Sequence, residues 1–121
     1  MVRLFFSLLS VMYVTAIFLF AGSPIVRDNS QFNPYSILHI PLYGVLTVLL
    51  DRSFRGAGSF RLLLPAIIAL GVAIADEVNQ SFTPGRDGTV TDVLLDLVGI
   101  GLVVFLRFRF RNHAEEQRGA T

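Results

Sequence analysis

LFFSLLSVMYVTAIFLFA, residues 4–21, runs for eighteen positions without a formal charge. A helix rises 1.5 Å per residue and needs roughly 17–25 residues to cross about 30 Å of hydrocarbon. This block meets that length directly. Its polar positions are mainly Ser and Thr, so it lacks the charged face of a soluble amphipathic helix. Three more apolar blocks follow. Residues 35–50 contain His39 and Pro41 but no formal charge. Residues 62–75 are short for a span but can continue as helix through Asp76, Glu77 and Gln80, to give 62–80. The last block covers about 90–106.

Composition points the same way. Of 121 residues, 53% are hydrophobic and 16% charged, and mean hydropathy is +0.63. Soluble domains average about 45–50% apolar and about 25% charged. The length supports one domain, 1–121, with residues 112–121 as a polar tail. The apolar content excludes a disordered chain, and the absence of cysteine excludes a disulfide scaffold. A net charge of +1 gives no reason to expect nucleic acid as a partner; the expected partner is the lipid bilayer.

The expected fold is all-α, with four transmembrane helices in a compact antiparallel bundle. Arginine placement gives the orientation. Arg3, Arg52, Arg55, Arg61, Arg107, Arg109, Arg111 and Arg118 fall on one side, and only Arg27 and Arg86 on the other. Short cytoplasmic loops carry the excess of basic residues. Both termini are therefore expected in the cytoplasm, with the 22–34 and 76–89 loops outside. The first block also has leader-like features, Arg3 and the small residues Ala21-Gly22-Ser23. Its apolar stretch is longer than the roughly 7–15 residues of a usual leader core, which favours a retained span. Removal would leave three spans in the same orientation.

This topology collects polar side chains at one depth on the outer side. His39 and Tyr43 fall in the outer half of the second span. Asp76, Glu77 and Gln80 fall at the outer end of the third. Asp92 and Asp96 fall in the first turns of the fourth, and Arg86 in the loop before it. Asp92, Asp96 and Gly99 follow an i, i+4, i+7 spacing and share one helix face. A carboxylate in mid-span costs about 2.5–3.5 kcal/mol, and less near the interface. Asp96 must therefore face protein or trapped water, be protonated, or be paired. Five acids (Asp76, Glu77, Asp87, Asp92, Asp96) against the single Arg86 cannot all be ionised cheaply. Each has a plain alternative: Thr89 and Asp92 match a capping box, Asp76 and Glu77 can end a solvated helix, and Gly99 and Gly101 can allow close helix packing.

The chemistry these residues support is recognition of a polar group. No metal is expected, because there is one candidate histidine and no HExxH-type spacing. Ser81 lacks a GxSxG elbow, and glycine-rich phosphate loops are absent, so no cofactor is expected. Four helices without an internal repeat make a poor transporter unless they oligomerise.

Asp76-Glu77-x-x-Gln80-x-x-x-Pro84-Gly85-Arg86-x-x-x-x-x-Asp92-x-x-x-Asp96-x-x-Gly99 resembles the signature of the VanZ-like family of small bacterial membrane proteins. His39-x-x-x-Tyr43 resembles that family's second motif. Asp96 stands where the family more often has Asn, and Val103 where a second glycine often follows Gly99. The resemblance implies a connection to tolerance of teicoplanin-type glycopeptides, which act outside the cytoplasmic membrane, but implies no reaction. The expected function is recognition of an envelope lipid or lipid-linked head group by Glu77, Gln80, Arg86, Asp92, Asp96, Asp76, His39 and Tyr43. The alternatives are a membrane enzyme using carboxylate and histidine acid–base chemistry, and a structural or assembly protein.

Overall fold

The computed structural model describes residues 1–21, 23, 34–54, 60–84 and 88–119. Among these residues every regular element is helical: α1 (Val2–Ala21), a 3-10 turn (Pro34–Leu38) leading into α2 (His39–Ser53), α3 (Phe60–Ser81) and α4 (Val90–Gly119). The boundaries differ from the apolar blocks in physically simple ways. The second block starts as a 3-10 turn and becomes α-helix only at His39, with Leu38 still in helical backbone geometry. The third continues through its acids to Ser81. The fourth does not stop at the arginines but continues as helix to Gly119, so residues 112–119 of the polar tail extend α4.

Two helices, Val2–Ala21 and Arg61–Ser81, are long and apolar enough to cross a membrane. The α-helical part of α2 is shorter, at fifteen residues. In α4 the apolar run is interrupted by Asp92, Asp96 and Arg107. Large apolar side chains such as Phe5, Leu19, Ile67, Ile74, Leu102 and Phe105 lie exposed on the outside of the bundle.

α2 lies at the centre and packs on all three other helices. The core joins Ile17 of α1, Tyr43, Leu46 and Leu50 of α2, Ala69 and Ala73 of α3 and Ile100 of α4. Ala69 and Ala73 are fully buried, and their small side chains let α3 come close to its neighbours. The α2–α4 crossing is the closest. A Cβ on Gly99 would overlap the Ile40 carbonyl, and one on Gly44 would touch the Gly99 carbonyl oxygen at 3.6 Å. Gly101 has open space around it and takes no part in packing, contrary to the expectation for it.

Helices consecutive in the chain alternate in direction, so α2 and α4 run parallel. The start of α2, the end of α3 and the start of α4 meet at one end of the bundle, through His39, Glu77 and Asp92. The end of α2 and the start of α3 meet the middle of α4 at the other, through Asp51, Arg61 and Arg107. Ser10 near the start of α1 lies 3.3 Å from Ser53 at the end of α2, so α1 and α2 also run oppositely.

Candidate functional site

Seven of the eight residues expected at the site are buried, and they lie at one end of the bundle. His39, Tyr43, Asp76, Glu77, Gln80, Asp92 and Asp96 range from 0% to 8% exposed. Arg86, the eighth, lies outside the described residues, as does Asp87.

His39 is the hub, positioned by the start of α2. Its Nδ1 lies 2.8 Å from Asp96 Oδ1, and its Nε2 lies 4.0 Å from Asp92 Oδ2. The carboxylate at Nδ1 accepts the ring N–H there, and Nε2 faces Asp92. The i, i+4 spacing of Asp92 and Asp96 on α4 places one carboxylate at each ring nitrogen. One turn further along α2, the Tyr43 ring stacks near-parallel on His39 at 6.2 Å between centroids. The Tyr43 hydroxyl donates to Asp76 Oδ2 at 3.4 Å, and Gln80 Nε2 donates to the same oxygen at 2.9 Å. Asp76 and Gln80 are themselves i, i+4 on α3.

Glu77 connects α3 to the start of α4. Its Oε2 accepts the Thr89 N–H at 2.8 Å. Thr89 in turn caps α4, its hydroxyl accepting the Asp92 N–H at 3.3 Å. Only half of the expected capping box is therefore made. Glu77, from another helix, takes the Thr89 N–H that the Asp92 carboxylate would accept in a complete box. Asp92 is left free to face His39. Gly88 fits this junction because a Cβ there would lie 2.6 Å from the Glu77 carbonyl oxygen.

Among the described residues, Glu77 Oε1, Gln80 Oε1, Asp92 Oδ1 and Asp96 Oδ2 are buried without a hydrogen-bond partner. Buried polar atoms are normally satisfied, so this end of the bundle has unused acceptor capacity. His39, Glu77 and Asp92 each offer one atom suited to a metal ion, all within 4.8 Å of one another. Sequence spacing gave no sign of this, because the three residues come from three helices. Ser81 is exposed and its hydroxyl bonds back to the Val78 carbonyl at 2.7 Å, which is no nucleophile arrangement.

Beside the polar cluster lies a cavity of about 360 Å³. Tyr13, Ala16, Ile17, Phe20 and Ala21 of α1 form one wall with Tyr35, Leu38 and Leu42, and His39, Asp76 and Gln80 form its polar end.

At the other end of the bundle is a cluster that the sequence reading missed. Asp51, 2% exposed, accepts from Arg107 through Nε at 2.8 Å and through a second guanidinium nitrogen. Arg61 Nε lies 3.9 Å from its other oxygen. The signal was present: Asp51 is the one acid in the 51–61 segment that carries Arg52, Arg55 and Arg61. Arg107 of α4 is thus an ion-pair partner of Asp51.

A family model described as VanZ/LLP1 matches residues 4–111. The chain belongs to the VanZ/LLP1 family. No curated protein and no solved structure matches the chain. The match to VanZ/LLP1 takes in all four helices, and within it both the His39 cluster and the Asp51 cluster. Membership and the two apolar helices are compatible with a membrane location.

Proposed function

We propose that this VanZ/LLP1 protein crosses the bacterial cytoplasmic membrane four times, with both termini inside, and that its outward-facing pocket recognises an envelope lipid or lipid-linked head group. Helix lengths support the spans. α1 and α3 rise about 30 and 33 Å, and α2 with its preceding 3-10 turn rises about 32 Å. The thirty residues of α4 exceed the bilayer core. The arginine asymmetry supports the orientation.

The observation that carries the reading is the cavity, whose lining is mainly apolar and includes the polar side chains His39, Asp76 and Gln80. An amphipathic ligand matches that division. A lipid tail gains little on moving from bilayer to groove, because the bilayer is already apolar. Selectivity must therefore come from the polar end. Gln80 lines that end; with Glu77, from the cluster around His39, it is assigned to orient the head group, Asp92 and Asp96 of the same cluster to accept hydrogen bonds, and Arg86 to contact phosphate or carboxylate, for which its forked guanidinium is suited. The connection to teicoplanin-type glycopeptide tolerance rests on family membership.

A second reading is favoured by the short His39–Asp96 contact. A carboxylate-oriented histidine beside Glu77 is an acid–base arrangement, which would make the chain an enzyme acting on a lipid head group.

Lipids retained by the detergent-purified chain, identified by mass spectrometry, test the proposal. One lipid class should be retained by the wild type and fall at least about tenfold in Ala16→Phe, which fills the groove, and in Gln80→Leu, which removes the polar end; tenfold is about 1.4 kcal/mol. Equal retention by all three proteins would contradict recognition. An altered head group in extracts of cells carrying the protein would instead select the enzyme reading.

A further inference from the structure

His39, Glu77 and Asp92 make a mixed nitrogen–oxygen set, drawn from α2, α3 and α4, with candidate ligand atoms within 4.8 Å of one another. Zn–N and Zn–O bonds are about 2.0–2.2 Å, so two ligands of one tetrahedral ion stand roughly 3.3–3.6 Å apart. The three atoms, within 4.8 Å of one another, would draw together on binding the ion. We propose that these three residues bind one divalent transition-metal ion, of the Zn²⁺ type.

Two further observations point to a ligand rather than to a chance meeting of acids. The first is unused acceptor capacity. Glu77 and Asp92 are only 8% and 7% exposed, yet Glu77 Oε1 and Asp92 Oδ1 have no hydrogen-bond partner among the described residues. A buried carboxylate oxygen without a donor is costly, and a cation satisfies it. The second is Asp96. Its Oδ1 sits 2.8 Å from His39 Nδ1, on the far side of the ring from Asp92. Metal-bound histidines nearly always present this arrangement, with a carboxylate or carbonyl accepting the second ring N–H and fixing the first nitrogen as a ligand. The Glu77–Thr89 hydrogen bond adds rigidity by tying one ligand to the start of the helix that carries another.

One imidazole and two carboxylates suit Zn²⁺, with Mn²⁺ as the harder alternative. Three protein ligands leave a fourth tetrahedral position for water or an oxyanion. His39 also lines the apolar cavity, so that position lies near the groove. The site does not depend on the lipid reading, since the three ligands would bind the ion with the groove empty.

The test uses the full chain without a purification tag, in detergent, stripped with chelator and titrated with Zn²⁺ alone by calorimetry. One ion per chain should bind. Glu77→Gln and Asp92→Asn should each weaken binding at least tenfold while helical content by circular dichroism is retained. Asp96→Leu should weaken binding by about 10–100-fold without touching the ion. X-ray absorption of the wild-type complex should give a nitrogen–oxygen shell with one imidazole, a readout that survives if a variant fails to fold. The absence of stoichiometric binding would overturn the site, as would a shell without imidazole. Retained affinity in Glu77→Gln and Asp92→Asn combined with its loss in Arg86→Gln would overturn it too.

Discussion

Glu77 shows how one residue serves two helices. From the end of α3 it accepts the Thr89 N–H that opens α4, and its burial leaves a second oxygen directed at the cluster. Glu77→Ala removes the acceptor and leaves a part-buried N–H unsatisfied, a loss of about 1–3 kcal/mol. Glu77→Gln keeps an amide oxygen at the same reach and should unfold within about 0.5 kcal/mol of the wild type. Denaturant unfolding in micelles compares them, and equal stability of the Ala variant would mean that this contact does not hold the junction. The sequence suggested a capping box between Thr89 and Asp92, and half of it forms. The other half was not legible, because Thr89 finds its acceptor twelve positions earlier on a different helix, which no local spacing records.

At the scale of the helices, the α2–α4 crossing positions the site. It sets His39 against Asp92 and Asp96, and its closeness depends on Gly99, where a Cβ would overlap the Ile40 carbonyl. Gly99→Ala must push the helices apart, at a cost of about 1–3 kcal/mol. Gly101→Ala meets nothing within 4 Å and replaces a poor helix former, so it should be neutral or stabilise by up to about 1 kcal/mol. Thermal unfolding of the pair in detergent checks this, and equal destabilisation by both would place the close crossing elsewhere. The apolar blocks made the helices legible. Their ends were less so: the 3-10 entry at Pro34–Leu38 and the continuation of α4 to Gly119 depend on backbone geometry rather than on hydropathy. The i, i+4, i+7 face of Asp92, Asp96 and Gly99 could be read directly, because helical periodicity alone fixes it.

At the scale of the whole molecule, the bundle has two polar ends joined by an apolar middle. One gathers His39, Asp76, Glu77, Gln80, Asp92 and Asp96 beside a groove. The other buries Asp51 under Arg107 and Arg61. The alternating apolar blocks and the acid spacing grouped the residues of the first end in the sequence together with Arg86, which lies outside the described residues. The Asp51 pairing was not legible there, because positive-inside counting treats arginines as a sum and assigns them no partners. The approach of His39, Glu77 and Asp92 to within 4.8 Å could not be read from motif spacing, which relates residues on one helix, whereas these come from three.

The central claim is that the His39 end faces outward in a four-span chain and the Asp51 end faces the cytoplasm. The chain has no cysteine, so single cysteines report without background. Thr83→Cys, at the end of α3 beside the site, and Phe54→Cys, at the end of α2, can be treated in spheroplasts with a membrane-impermeant maleimide. The account predicts labelling of Thr83→Cys in intact spheroplasts and of Phe54→Cys only after permeabilisation. The reverse pattern, or equal labelling of both before permeabilisation, would contradict it.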